Sequence, residues 1–151
     1  MLSVAEALAR ITAAFAPLPA ETVSLSEALG RTLAEDVAAR VNQPPHDVSA
    51  MDGYAVRAAD VATVPARLRV VGEAPAGAAY AGTLGAGDAV RIFTGAPLPA
   101  GADAIVIQED TERDGDSVLV KEGAATGTYV RPAGLDFRAG DTGLTAGRLL
   151  S

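Results

Sequence analysis

The residues best suited to chemistry are few: Asp52 in Met51-Asp-Gly-Tyr54, Thr94 in Phe93-Thr-Gly-Ala96, and Asp136 in Arg131-Pro-Ala-Gly-Leu-Asp136. Two carboxylates, a hydroxyl and the arginines Arg131 and Arg138 suit a Mg2+-assisted reaction on an oxyanion, because Mg2+ takes oxygen ligands and bridges to substrate oxygens. Thr94-Gly95 follows the expected strand Val90–Phe93, so a hydroxyl and free backbone N–H groups fall at a strand end, where an anion can be held. Plainer readings stand beside these. Asp52 before Gly53 can simply cap a turn. His46, the single histidine, lies next to Asp47 as an acid/base pair or metal ligand would; with no second histidine, it reads as a loop residue whose ring packs. Asp141-Thr-Gly143 spells the triplet of aspartic proteases, but its flanks read as turns. Lys121, the single lysine, falls inside an expected strand and not at the hairpin tip where a carrier domain is modified. No Gly-x-x-x-x-Gly-Lys-Ser/Thr loop is present to cradle phosphates.

Asp52 belongs to a stretch of unusual polar density, Asn42 to Val56, around which the rest of the chain is read. It holds two prolines, the histidine, two aspartates, a serine, a methionine and a glycine. Pro44 and Pro45 fix their own φ and push the preceding residues into extended backbone. Asp52-Gly53 is read as the turn from which Tyr54–Val56 leaves as a strand. A stiff, acid-bearing loop between ordered elements is where function tends to sit.

The remaining elements must position that loop. Ser3 and Glu6 form a capping box ahead of a helix over 3–15, with Val4, Leu8, Ile11 and Phe15 on one face, packed on its own domain or on a second copy; Pro17 and Pro19 end it. Val23 and Leu25 alternate as in a short strand, Ser26–Leu29 reads as a single helical turn closed by Gly30, and Thr32–Ala38 as extended chain. Strands are expected at Leu68–Gly72, Ala89–Phe93, Ala104–Gln108, Ser117–Lys121, Tyr129–Arg131 and around Leu144. Asp114-Gly115 is a hairpin signal, and Glu109–Glu112 a solvated hairpin edge. Three turns look alike: Gly85-Ala-Gly-Asp88, Pro99-Ala-Gly-Ala-Asp103 and Arg138-Ala-Gly-Asp141. Their irregular spacing excludes a solenoid.

With 151 residues the chain forms one domain or two small ones and buries roughly 70% of its unfolded surface. Sixteen glycines and nine prolines imply many turns, and the high apolar fraction is largely alanine. The absence of cysteine excludes disulfides and thiolate metal sites. A net charge of −7, with only eleven arginines and one lysine, provides no basic stripe for nucleic acid. No apolar run approaches the length of a membrane span, and no secretory signal is read at the start, so a cytoplasmic protein is expected. Gly147-Arg-Leu-Leu-Ser151, with two apolar residues beside the terminus, is the ending expected of a piece of a longer protein.

Three motifs in order, Pro45-His-Asp-Val-Ser-Ala-Met-Asp-Gly-Tyr-Ala-Val-Arg57, Arg91-Ile-Phe-Thr-Gly-Ala-Pro-Leu-Pro-Ala-Gly-Ala-Asp-Ala-Ile-Val106 and Val130-Arg-Pro-Ala-Gly-Leu-Asp136, make the chain resemble the N-terminal region of the molybdopterin molybdenumtransferase family. These are the molybdenum insertases called MoeA in bacteria, with a gephyrin domain as relative. The resemblance covers essentially all 151 residues but only about the first third of a family member. It implies a mainly β fold with N-terminal helices (α+β), elongated, in two interleaved subdomains: 1–41 with 122–151, and an inserted β part over 42–121. It implies transfer of molybdate to adenylylated molybdopterin with Mg2+, in a homodimer whose cleft lies between the pterin-binding domain of one subunit and this region of the other. That pterin-binding domain and the C-terminal domain lie outside this chain, so the chain alone is expected to be inactive.

Carried over by motif, Asp52, Thr94 and Asp136 are the catalytic candidates, with Asp52 and Asp136 as metal ligands; Ser49, Gly95 and Arg131 are the candidates for binding the cofactor. Leu135 departs from the polar or acidic residue usual at its position and weakens an acid cluster around Asp136. A non-catalytic scaffold or interaction module, as in gephyrin, is the alternative.

Overall fold

A computed structural model describes residues 2–151. The chain forms two compact units, Met1–Val37 with Leu144–Ser151, and Ala38–Gly143.

In the first unit, helix α1 (Val4–Ala13) starts as its sequence dictates: the Glu6 N–H donates to Ser3 Oγ at 3.3 Å, and Ser3 N–H donates to Glu6 Oε2 at 2.9 Å. The Ser3 N–H foremost, and then the Ser3 hydroxyl, which donates to Glu6 Oε2 at 2.8 Å, hold the Glu6 carboxyl below its usual range. No residue of α1 is buried, and Val4, Leu8, Ile11 and Phe15 expose between 58 and 86% of their surface, so the apolar stripe does not pack within its own unit. The alternation at Val23 and Leu25 yields no strand; Ser24 instead precedes a 3-10 turn, Leu25–Glu27. Gly30 then takes a φ of +75°. Residues 30–33 and 147–150 form a short antiparallel ladder, with Gly30 N–H donating to Leu150 O and Leu33 N–H to Arg148 O, so the apolar end of the chain is tied back by its backbone.

The second unit is built on a six-stranded sheet. Numbered with the short pairs in chain order, its strands are β1 (Val37–Ala38), which begins in the first unit, β2 (Val48–Ser49), β3 (Gly53–Val56), β4 (Ala66–Ala74), β5 (Asp88–Ile92), β6 (Ala104–Ile107), β7 (Thr111–Asp114), β8 (Ser117–Val120), β9 (Val130–Arg131) and β10 (Thr142–Leu144). The order across the main sheet is β6-β3-β5-β4-β8-β7, antiparallel except for β4 with β5, which run parallel with a bulge between Val70 and Gly72. The chain is thus mainly β, as expected. Glu109–Glu112 is only partly an edge strand: a 3-10 turn, Gln108–Asp110, precedes β7, which Gly115 (φ +55°) joins to β8.

β3 is buried along its whole length because the sheet is covered on both faces. Tyr54 and Val56 join Leu68, Val106, Val118 and Val120 on one side, while Ala55 joins Val90, Ile92 and Ile105 on the other. A strand covered twice reads as a continuous apolar run, which is why Ala104–Ile107 carries no alternation.

Two of the three similar turns share one device. Asp88 accepts from Gly85 N–H and Asp141 from Arg138 N–H, each carboxylate closing its own turn with a glycine at positive φ. The third differs: Asp103 accepts from Ala58 N–H, 45 residues away. Among the described residues no helix is long and apolar enough to cross a membrane.

Candidate functional site

The polar loop is anchored from both ends before it reaches Asp52. Pro44 is buried, and its carbonyl accepts from Gly134 N–H at 2.9 Å. Asp47 accepts from Ala133 N–H through Oδ1 at 2.8 Å and from Leu98 N–H through its carbonyl at 2.8 Å. Here the loop forms strand β2, which the run of polar residues concealed: Val48 and Ser49 pair with Arg131 and Val130 of β9 on one side, and Ser49 exchanges backbone bonds with Gly95 and Ala96 on the other. Ser49 is buried, and its hydroxyl both donates to Met51 O and accepts from Met51 N–H, so it shapes the loop from within. His46 is exposed, not packed.

Asp52 stands at the end of this loop, directly before β3. Its Oδ1 accepts from Thr94 N–H at 2.8 Å and from Thr94 Oγ at 2.7 Å. The Thr94 N–H does most to hold the carboxyl below the usual aspartate range; the hydroxyl adds to it, slight desolvation works against it, and the Arg91 charge adds a smaller lowering. Asp52 is therefore an anion at every pH near neutrality, with Oδ2 not engaged in any hydrogen bond among the described residues. The N–H groups expected to be free at the strand end are spent. Thr94 N–H goes to Asp52, Gly95 N–H to Ser49 O at 2.8 Å, and Ala96 N–H to Phe93 O at 2.9 Å. The strand end grips a carboxylate of its own chain where an external oxyanion was expected.

Asp136 follows β9, five residues after Arg131. Its Oδ1 takes Arg131 Nη2 at 2.7 Å, and its backbone N–H donates to Gln43 O at 2.9 Å. Both side chains are 44% exposed, where an ion pair adds little stability. Direct bonds therefore join Asp52 with Thr94, Ser49 with Gly95, and Arg131 with Asp136, and the β2–β9 register ties these groups together without a hydrogen bond between the two acids. Leu135 is exposed beside Asp136. Among the described residues no three His, Cys, Asp or Glu side chains are grouped to hold a metal ion.

Sequence reasoning missed two residues here. Gln108 N–H donates to Asp52 O at 3.1 Å, and the Arg91 guanidinium bridges Gly53 O at 3.0 Å and Gln108 Oε1 at 2.7 Å while lying over the rings of Tyr54 and Phe93. The available signal was a charge set inside the apolar strand Asp88–Ile92, three residues ahead of Thr94.

Comparison with known proteins covers the same residues. A profile of the MoeA N-terminal region (domain I and II) matches residues 2–151. The chain is 44% identical over 134 residues to molybdopterin molybdenumtransferase 2 of Mycobacterium tuberculosis, covering 86% of this chain and 33% of that protein. It is 42% identical over 135 residues to molybdopterin molybdenumtransferase of a Nostoc species, covering 87% of this chain and 31% of the relative. The crystal structure of a molybdopterin biosynthesis moeA protein from Pyrococcus horikoshii superposes on all of this chain with a TM-score of 0.85 at 35% identity, using 40% of that structure. The chain spans about a third of the length of the curated relatives it matches.

Proposed function

The chain belongs to the MoeA family through its N-terminal region, domains I and II, and on that premise we propose that it is the cleft-contributing part of a molybdenum insertase. The full-length protein transfers molybdate to adenylylated molybdopterin in molybdenum cofactor biosynthesis. The observation that carries this reading is the Asp52 carboxylate, fixed through Oδ1 by both donors of Thr94, kept ionised, and with Oδ2 in no hydrogen bond among the described residues. Asp88 and Asp141 close their own turns, and Asp47 and Asp103 each accept a backbone N–H from a distant residue; Asp52 differs in taking both the N–H and the hydroxyl of one residue, 42 positions away, on a single oxygen. The test is molybdate insertion by the full-length protein carrying Asp52→Asn, and activity near that of the wild type with the fold intact would sink the reading.

Within this region Asp52 supplies a fixed negative charge at the cleft, Thr94 sets its direction, and Ser49 and Gly95 hold the loop and the strand end together. Arg131 and Asp136 stand beside them as a neutral pair. Mg2+ fits this chain only as an ion held chiefly by water and substrate oxygens, since Asp52 and Asp136 would hold it through one carboxylate oxygen each. When bound, the ion supplies neutralisation of charge on the reacting oxygens. Calorimetry of this chain with Mg2+ is accordingly expected to give no binding tighter than the micromolar range; a submicromolar site would contradict a cleft completed by other domains.

The partner expected at α1 is a second copy of the protein. Its exposed stripe of Val4, Leu8, Ile11 and Phe15 favours a homodimer, because such a face gains by burial against its own like. Replacing Leu8 and Ile11 together by Glu keeps helix propensity, and is expected to weaken self-association of the full-length protein by roughly 100-fold or more, since burying each such side chain contributes about 1.5–3 kcal/mol. Sedimentation equilibrium reads the change, and an unaltered dimer would remove α1 from the interface.

A further inference from the structure

We propose that Arg91 is a positioning residue for Asp52, a fork that holds the carbonyl of the residue after the acid directly and the acid's own carbonyl through Gln108, so that the carboxylate meets Thr94. The proposal rests on the reading of Asp52 given above only for its catalytic meaning; the clamp itself stands on geometry. Arg91 Nη1 donates to Gly53 O, immediately after Asp52, at 3.0 Å, and Nη2 donates to Gln108 Oε1 at 2.7 Å. Gln108 in turn donates its own N–H to Asp52 O at 3.1 Å. One side chain on β5 therefore holds β3 directly at Gly53 and holds Asp52 through Gln108, the residue after β6, at the point where the loop enters the sheet.

Three features separate this from an ordinary surface arginine. Among the described residues no ion pair engages Arg91, so the fork is committed to a carbonyl and an amide. The guanidinium lies 4.7 Å from the Phe93 ring centroid and 5.4 Å from that of Tyr54, a pair of faces that limits its rotation. Tyr54 is the register partner of Arg91 across β3–β5, and Thr94 follows on the same chain, so one segment carries both the group that holds the Asp52 carboxylate and the group that holds its backbone. A planar fork does this where a lysine cannot, because an ammonium is a single point charge on a flexible stem.

The test compares Arg91→Met, Arg91→Lys and Gln108→Met in this chain by amide NMR. If the fork positions Asp52, Arg91→Met moves the Thr94 amide resonance upfield and raises its hydrogen exchange by about 10-fold or more, as for a bond opened locally, while Ala55 and Val90 in the sheet keep their exchange rates. Arg91→Lys does not restore the Thr94 signal. Gln108→Met, at an exposed position, shifts it in the same direction by less, and decides the matter if Arg91→Met does not fold. The proposal is overturned by an unmoved Thr94 amide, by full rescue with lysine, or by equal loosening of Ala55 and Val90, which marks a plain structural brace. Activity separates the two readings. In the full-length protein Arg91→Met should lower kcat by more than it changes KM, and be without further effect on an Asp52→Asn background. A fully active Asp52→Asn protein with the Thr94 signal lost in Arg91→Met would sink the catalytic reading and leave the clamp standing.

Discussion

Asp52→Asn in the full-length protein is expected to lower molybdate insertion by about 10²-fold or more, the lower end of what a positioned catalytic side chain contributes, while the melting temperature of this chain stays within about 2 °C of the wild type. The two halves of that expectation come from the same geometry. Asparagine is the same size as aspartate and retains an oxygen that accepts both the Thr94 N–H and the Thr94 hydroxyl, so the bonds at 2.8 and 2.7 Å survive the change. What disappears is the charge, and with it the anionic oxygen that Thr94 does not engage. The pH dependence carries the matching sign. The Asp52 carboxyl is held below its usual range in the folded chain, so its bonds stabilise the fold above the unfolded-state pKa, and that contribution is lost as pH falls through the lower folded value. Insertion that depends on this anion is therefore flat across neutral and mildly acidic pH. Titration followed by the Asp52 side-chain carbon should give a midpoint below the ordinary aspartate range; a midpoint at or above that range would remove the Thr94 grip as an influence on the carboxyl.

How much of this the residues disclose depends on whether the deciding contacts are local. The core strands were legible because Val90 and Ile92, Ile105 and Val106, and Val118 and Val120 are apolar and β-branched in short runs between turn residues. The α1 cap was legible because Ser3 and Glu6 lie three residues apart and bond to each other. Strand β2 was not, because Val48 and Ser49 are ordered by backbone partners at 96 and 130 that no local pattern announces. The parallel pairing of β4 with β5 was hidden for the same reason. At the site, type and motif singled out Asp52 and Thr94, but their bond to each other and the Arg91 fork are tertiary facts. The amphipathic face of α1 could be read directly; which surface covers it could not, since amphipathicity specifies burial and not the partner.

The dipeptide Asp-Gly makes the distinction sharpest, because it occurs twice with opposite consequences. Gly115 sits in the β7–β8 hairpin at a φ of +55°, where the missing side chain provides backbone freedom. Gly53 was read as the same kind of turn residue and is not one: it lies in β3, outside the positive-φ region, and pairs with Ile92 and Ile107 on its two sides. A Cβ built there would meet Val106 O at 2.0 Å and Val106 C at 2.9 Å. Both atoms are backbone of the neighbouring edge strand β6, so no side chain can swing aside, and β3 and β6 must part at this end. Gly53→Ala is thus expected to destabilise the chain by about 3 kcal/mol or more, at the upper end for overpacking, which lowers the melting temperature by roughly 6–12 °C for a chain of this size. Gly115→Ala, where nothing lies within 4 Å of the new carbon, carries only the strain of a positive φ, about 1 kcal/mol. Parallel thermal melts of the two variants separate the cases, and an equal, small loss in both would mean that β3 and β6 yield freely at Gly53. The same separation of strands would pull Gln108 N–H from Asp52 O and carry the acid away from Thr94, so that in the folded fraction of Gly53→Ala the Thr94 amide should exchange faster than in the wild type. Glycine follows the acid in this motif because the strand that presents Asp52 has to pass against a neighbouring carbonyl.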